Sequence, residues 1–349
     1  MGKKIFVTPL DWGLGHVSRC IPLIREIKNA GHEVFLAASP SSTTILKQEF
    51  PNEECFSLPE NRLQYWYPFP AWWSILFQSY SYLKNIQLEK QTIDSLQKKI
   101  NADIIISDNR YGCYVEGKKN IFITHQVYLP VRYFKKTIEK KLIHHLRNFD
   151  EIWIPDFAEN ENNLSGSLSH GKQHALNLKY IHPLSRLTQQ KIVEEKIYNY
   201  CFLISGPEKW RTHFEEEAVN FINKSNAKFA LIRGTRNKLK TIISNNNCEV
   251  IDFADRHILE KIISVSEFVV CRSGYSTMMD LVQLQKPAFL YPTPGQPEQL
   301  YLSRYLSKFE MFQPIKRVQD ITSEKKPKFI EGVFYESSRD ELKKAIESL

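Results

Sequence analysis

Short apolar runs rich in β-branched and aromatic residues punctuate the first half of the chain: KIFVTPL, EVFLAAS, ADIIISD, NIFITH and EIWIPD. Stretches of helical character separate them, one of them over residues 81–100. This alternation predicts parallel strands joined by crossover helices, an open α/β sheet. A second series follows, YCFLISG, KFALIRG, CEVIDF, EFVVCRSG and PAFLYP, again with helical segments between, such as HFEEEAVNFINKS. The two series predict two Rossmann-like domains, 1–158 and 199–349. The polar stretch within 159–198, rich in Asn, Ser, Gly and His, reads as a connector. At 349 residues the chain is longer than a single core usually supports, which fits two domains.

In open α/β sheets ligands bind beyond the carboxyl ends of the strands. Those loops hold His16, Asp108-Asn109-Arg110, His125-Gln126, Ser205-Gly206 and Ser273-Gly274, and two facing domains would gather them around one cleft. The first such loop lies in DWGLGHVSRC, residues 11–20. A dinucleotide fingerprint would need a third glycine where Ser18 stands and an acidic residue closing the second strand, whereas Glu33 opens it. A nicotinamide or flavin site is excluded on that ground. There remains a turn whose Gly13 and Gly15 let a ligand approach the backbone, with His16 at the start of a helix. Equally open is a turn made by the glycines with His16 capping or packing.

The segment EFVVCRSGYSTMMDLVQLQKPAFLYPTPGQPEQ, residues 267–299, carries more information. A strand ends in C-R-S-G and a helix opens at once with Ser276 and Thr277, so free backbone N–H groups and the positive end of the helix dipole make a phosphate site. Asp280, one turn deeper on the Ser276 face, is placed to accept hydrogen bonds from ribose hydroxyls. The plainer alternative is a capped helix with a solvated aspartate.

Cys271-Arg272-Ser273-Gly274, Thr277, Asp280-Leu281, Lys286-Pro287, Tyr291-Pro292 and Glu298-Gln299 together resemble the nucleotide-sugar site of GT-B glycosyltransferases, particularly family 28. That family includes the bacterial enzyme adding N-acetylglucosamine to the lipid-linked precursor of peptidoglycan. Gly13-Leu14-Gly15-His16 resembles the family's glycine-rich first loop, NIFITHQ its strand ending in H-E-Q, and YIHPLSR its linker. Asp280 replaces the usual glutamate, Gln126 the glutamate of H-E-Q, and Ser303 the family's asparagine. The resemblance implies a first domain for the acceptor and a second for the donor, a uridine diphosphate sugar. Gly15, Ser205, Gly206, Arg233, Ser273, Gly274, Ser276, Thr277, Asp280, Glu298 and Gln299 would bind the donor. Asn109, His125 and Gln126 would line the acceptor side.

Glycosyl transfer requires a base for the acceptor hydroxyl and stabilisation of the leaving diphosphate. His16 would be the base, helped or replaced by Asp11 or Asp108, and helix-terminal N–H groups would hold the phosphates without a metal or other cofactor. No D-x-D occurs, and Glu159-Asn160-Glu161 falls in the expected connector. The G-x-G-H-x-x-R-C spacing of Gly13 to Cys20 also resembles sugar-nucleotide hydrolases of the same fold, in which water replaces the acceptor. A nucleotide-sugar binding protein without catalysis is a third reading.

Composition narrows the partners. Hydrophobic residues at 42% and charged residues at 25% describe a soluble globular protein. The six cysteines include no C-x-x-C pair, which excludes a disulfide framework and a zinc site and fits a reducing cytoplasm. The apolar start breaks at Asp11, too early for a signal peptide or membrane span. A net charge of +8 invites an anionic partner, and without a helix-turn-helix or RNA-binding signature that partner is not nucleic acid. The aromatic run QYWYPFPAWWSILF, with Trp66, Trp72 and Trp73, suits an interface or a packed pocket. The segment 132–147 spaces Phe134, Ile138, Leu142 and Leu146 at fours among six lysines and arginines, the pattern of a basic helix that lies on anionic lipid or shows water a charged face.

Overall fold

The computed structural model describes residues 2–11, 14–60, 71–128, 135–159, 161–171, 176–188, 195–235, 237–322, 324–334 and 340–349; for 14, 71–82 and 135–137 it describes the backbone. The chain divides into two compact units, Met1–Arg186 with Phe334–Leu349, and Leu187–Val333.

The first unit begins with β1 (Lys4–Pro9), α1 (Leu14–Asn29), β2 (Glu33–Ala38), α2 (Pro40–Glu49), β3 (Cys55–Ser57) and α3 (Ala71–Ile100). It continues with β4 (Ile104–Asp108), β5 (Lys119–Ile123), α4 (Lys135–Leu146), β6 (Glu151–Ile154) and β7 (Leu178–Tyr180). The strands form one parallel sheet in the order β3-β2-β1-β4-β5-β6-β7. Ile5, Phe6 and Val7 of β1 and Ile104, Ile105 and Ile106 of β4 are buried, as expected of central parallel strands covered on both faces. The chain runs outward from β1 to β3 on one side, then returns to place β4 on the other, with Pro9 opposite Asp108. The loops after β1 and β4 therefore flank the topological switch point.

The second unit repeats the plan with β8 (Tyr198–Leu203), α5 (Glu208–Asn223), β9 (Phe229–Ile232), β10 (Cys248–Ile251), α6 (Arg256–Ser264), β11 (Ser266–Cys271), α7 (Tyr275–Gln283), β12 (Ala288–Leu290), α8 (Pro297–Leu306) and β13 (Phe312–Pro314). Its order β10-β9-β8-β11-β12-β13 puts the switch point between β8 and β11. Phe202, Phe214, Phe229, Phe268 and Phe289 fill one face of this sheet. The last helix, α9 (Asp340–Glu347), belongs to the first unit, where it packs on α1.

Two boundaries differ from the sequence reading. The expected connector 159–198 is largely part of the first unit, because buried Asp156 accepts the N–H groups of Phe157, Leu164 and Ser165, each at 2.8 Å. Asn163, Ser165 and Ser169 are buried, and β7 pairs with β6 through Ile152–Leu178 and Ile154–Tyr180. Polar side chains here satisfy backbone groups, and the buried Leu164, Leu168, Ile181 and Leu184 are too scattered to leave an apolar run. The second boundary is the return of 334–349 to the first unit, anchored by Phe334 stacked on Phe157 at 5.7 Å. Helix α4 turns Leu142 and Leu146 into a cluster with Phe122, Phe149 and Ile152, while Ile138, Lys140 and Lys141 are exposed. Phe134 and the run 64–70 lie outside the described residues, as do the side chains of 71–77.

Candidate functional site

The first unit's switch point carries a buried ionic network. Asp108, the last residue of β4, is wholly buried, and α1 begins beside it with Gly15 and His16 in its first turn. Gly13 lies outside the described residues. His16 Nδ1 stands 3.2 Å from Asp108 Oδ2 and 3.3 Å from Oδ1, with its side chain 14% exposed. One turn along, buried Arg19 donates from Nε to Oδ1 at 3.1 Å and Oδ2 at 3.0 Å, and Nη2 also binds Oδ1. Cys20 Sγ lies 3.5 Å from Oδ2, and burial raises its thiol pKa, so it stays a weak donor. Burial opposes ionisation of Asp108, but Arg19 and His16 outweigh it and hold the carboxyl well below the usual range. The His16 pKa falls below 6.5 through burial first and Arg19 second, against the pull of Asp108. The site thus pairs an imidazole shifted toward its neutral form with a carboxylate shifted toward ionisation, the arrangement of an oriented general base.

Asp11, the other carboxylate expected near His16, forms a buried ion pair with Arg110 at 3.2 Å. Arg110 also donates to Pro9 O at 2.8 Å, Pro59 O at 3.0 Å and Glu89 Oε1 at 2.7 Å. Glu89 in turn accepts the Gly112 N–H at 3.1 Å, where a Cβ on Gly112 would meet Ile86 O at 2.2 Å. Asp11 and Arg110 therefore brace the loops beneath the site. Asn109 adopts φ +55, a left-handed conformation that asparagine tolerates, and this turn sends Asp108 toward α1 and Arg110 toward Asp11. Buried His125 follows β5 and accepts from Arg19 Nη1 at 3.1 Å through Nδ1, so it joins the His16 network; half-buried Gln126 donates its backbone N–H to Thr124 Oγ1. Arg19 is the residue that sequence reasoning missed as a site residue. Its signal was the one-turn spacing from His16.

In the second unit β11 ends at Cys271, and α7 opens with Gly274 as its cap, at φ −76 and ψ 138. No side chain caps this end and its first turn holds no acid, leaving the first N–H groups without helical partners and Ser276 and Thr277 half-buried beside them. Asp280 is half-buried one turn deeper. The helix after β8 is a poorer anion site, because Pro207 at its cap lacks an N–H and Glu208 already places an acid in the first turn. Between them Ser205 and Gly206 turn the chain, Gly206 at φ +112.

Arg272 is not at this opening. Its guanidinium donates to Tyr291 O, Pro292 O and Trp210 O at 3.0, 3.1 and 2.7 Å and stacks on Phe214 and Tyr291, and burial brings its pKa down to about 10. Ser273 donates to Gln299 O at 2.8 Å, and Gln299 Oε1 accepts the Thr293 N–H at 2.8 Å, so both tie α8 to neighbouring loops. Arg233, expected at the phosphates, is turned into a network with Glu215 at 2.7 Å, Asp252 at 2.5 Å and Asn237 O at 2.6 Å. Glu298 sits in the first turn of α8, half-buried. A second missed residue is Thr293, 2% exposed, whose Oγ1 has no hydrogen-bond partner among the described residues and lies 3.8 Å from where a Cβ on Gly206 would stand. Among the described residues no three His, Cys, Asp or Glu side chains group as a metal site.

Residues 202–325 match the glycosyltransferase family 28 C-terminal domain. An uncharacterized glycosyltransferase of Methanosarcina acetivorans is 24% identical over 321 residues, spanning 85% of this chain and 81% of that protein. Among solved structures, the spinosyn rhamnosyltransferase SpnG complexed with thymidine diphosphate aligns over 99% of this chain and 91% of its own, with TM-score 0.63 and 14% identity. MurG of Acinetobacter baumannii aligns over 100% and 90%, with TM-score 0.56 and 10% identity. With a family 28 domain in its second unit and two parallel sheets of Rossmann order, the chain is a glycosyltransferase of the GT-B fold.

Proposed function

We propose that the chain transfers a sugar from a nucleoside-diphosphate donor to an acceptor hydroxyl, using the side chains of Asp108 and His16 in the first unit and the α7 opening in the second. His16 takes the acceptor proton, and Asp108 orients the ring and stabilises the imidazolium that forms. The leaving diphosphate is held by the uncapped N–H groups of α7 with the hydroxyls of Ser276, Thr277 and Thr293, and Asp280 accepts from the ribose. Arg233 and Gln299 take no part in this assignment, since their polar atoms serve the fold. The charge of the diphosphate is met by helix-end dipoles and hydroxyls, so we assign no metal. The observation that carries the reading is His16 Nδ1 placed 3.2 Å from the buried Asp108 carboxylate at one switch point, in a chain whose other switch point opens an acid-free helix.

The donor base is taken as uridine from the family resemblance, although SpnG was captured with a thymidine nucleotide. A thermal-shift screen of uridine and thymidine diphosphate sugars decides this, because a ligand of the native state raises its melting temperature. The leading donor is then incubated with and without candidate acceptor alcohols, in excess chelator. Acceptor-dependent release of nucleoside diphosphate supports transfer. Equal release without acceptor would replace it with hydrolysis, and loss of activity in chelator restored by magnesium or manganese would overturn the metal-free assignment.

We also read the acceptor as lipid-linked and reached at an anionic membrane surface. No described helix is long and apolar enough to cross a membrane. What supports contact from one side is the exposed Ile138, Lys140, Lys141, His144 and Arg147 on α4 and its C-terminal end.

A further inference from the structure

Arg19 stands where three chemistry-bearing side chains meet. At 2% exposure its guanidinium binds both oxygens of Asp108, reaches His125 Nδ1 from Nη1 at 3.1 Å, and places Nη2 2.9 Å from His16 Nδ1. A guanidinium only donates, so His125 Nδ1 accepts, and a neutral imidazole that accepts at Nδ1 carries its proton on Nε2. His16 Nδ1 has two claimants. Arg19 Nη2 asks for its lone pair, and the Asp108 carboxylate, at 3.2 and 3.3 Å, asks for its proton. Nη2 carries two N–H groups and gives one to Asp108 Oδ1, but a charge-assisted bond from the ring N–H to the carboxylate is the stronger of the two on offer. The proton on Nδ1 therefore faces Asp108.

We propose that Arg19 is a positioning residue that, together with Asp108, sets the two histidines in opposite tautomers, Arg19 fixing His125 with an Nε2–H and Asp108 fixing His16 with a bare Nε2, and that the Arg19 charge adds to burial in opposing a proton on His16 until one arrives from the acceptor. The charged and titratable groups acting on His16 are Arg19 on the same helix, Asp108 at the end of β4 and His125 after β5. Burial and Arg19 work against protonation and Asp108 for it, so removing Arg19 takes away the largest opposing charge and leaves the carboxylate against burial and His125. In this arrangement His16 is built to accept a proton and His125 to donate a hydrogen bond, two roles divided between identical side chains because Asp108 faces one Nδ1 and Arg19 the other. The catalytic meaning of the division rests on His16 being the acceptor base; the tautomers themselves do not.

The test uses the full chain with 15N-labelled histidine and long-range 1H–15N correlation, with the two rings assigned through His16→Gln and His125→Gln. In the wild type we expect a protonated Nδ1 and bare Nε2 for His16, and the reverse for His125. Arg19→Gln should raise the His16 titration midpoint by about one pH unit or more, the usual effect of a neighbouring charge. Arg19→Lys, which keeps the charge, should leave it near the wild-type value. A protonated Nε2 on His16 in the wild type would overturn the proposal, as would an Arg19→Gln midpoint that stays put or falls. Should Arg19→Gln fail to fold, the wild-type tautomers decide alone. Absence of sugar transfer would sink the functional reading and leave these spectra as they are, so the two failures are told apart.

Discussion

His16 and Asp108 share one pocket and take opposite states within it. Burial penalises both charges, but Asp108 has Arg19 and His16 to hold it ionised, whereas His16 faces a cation as close as its anion. Substitution should separate the two roles. His16→Ala should lower sugar transfer by roughly two to four orders of magnitude with nucleotide binding little changed, the usual loss of a general base. Asp108→Asn should cost activity too, and should also destabilise the fold by about 3–5 kcal/mol in denaturant titration, because it strands the buried Arg19 charge. An Asp108→Asn protein as stable as the wild type would make the carboxylate a dispensable neighbour. Thr293 offers the converse case. Its hydroxyl is buried and finds no hydrogen-bond partner among the described residues, so Thr293→Val should leave the melting temperature of the free protein unchanged or higher while weakening nucleoside diphosphate by about 1 kcal/mol in calorimetry. Undiminished binding would remove Thr293 from the phosphate site.

Elements differ in how plainly the sequence announces them, and the difference is physical. Strands β1, β4, β8 and β11 lie in sheet centres and are covered on both faces, so their apolar runs mark them without ambiguity. Strands β3, β7 and β13 are three residues each at sheet edges and carry too few buried side chains to leave a pattern. The stretch 158–186 reads as a linker because its buried Leu164, Leu168, Ile181 and Leu184 are scattered among polar residues organised by Asp156 and form no apolar run. The site loops were legible because strand ends at a switch point are fixed by topology, and His16, Asp108 and Ser276 fall there. The partners of Arg233, Arg272 and Arg19 were not, since each is set by residues far away in sequence. Helix α4 shows the limit of periodicity: its stripe at intervals of four is real, yet Leu142 and Leu146 turn inward. What remains outside is a charged face with Ile138, so any lipid contact is mainly electrostatic. Binding to anionic vesicles should therefore be lost at high salt and weakened by exchanging Lys135, Lys136, Lys140 and Lys141 for glutamate. Wild-type protein left in the soluble fraction with anionic vesicles at low salt would point to a soluble acceptor.

At the scale of the molecule, the chain's order and its folding units do not coincide, since the polypeptide leaves the first unit at Arg186, builds the second, and returns at Phe334. The return is an apolar one. Phe334, Leu342, Ala345, Ile346 and Leu349 are buried, with Phe334 on Phe157 and α9 against α1. Polar ties add little: Lys179 Nζ meets Ser348 Oγ at 2.7 Å and Lys119 Nζ meets Ser348 O at 3.4 Å, both at the surface. Four large apolar side chains at roughly 1.5–3 kcal/mol each contribute about 6–12 kcal/mol as an upper bound, comparable to the whole stability of a typical domain. Helix α1, which α9 covers, also carries His16 and Arg19, so residues 340–349 support the helix of the candidate site. The second unit has its own core of Phe202, Phe214, Phe229 and Phe289, to which no described residue of this segment belongs. Deleting residues 334–349 should therefore act on one unit alone. In hydrogen exchange, amides of β1, β4 and α1 should lose protection while those of β8 and β11 keep theirs, and nucleoside diphosphate should still bind although sugar transfer is abolished. Equal loss of protection in both sheets would mean that the two units unfold as one, and full protection in β1 and β4 would mean that the returning helix is dispensable.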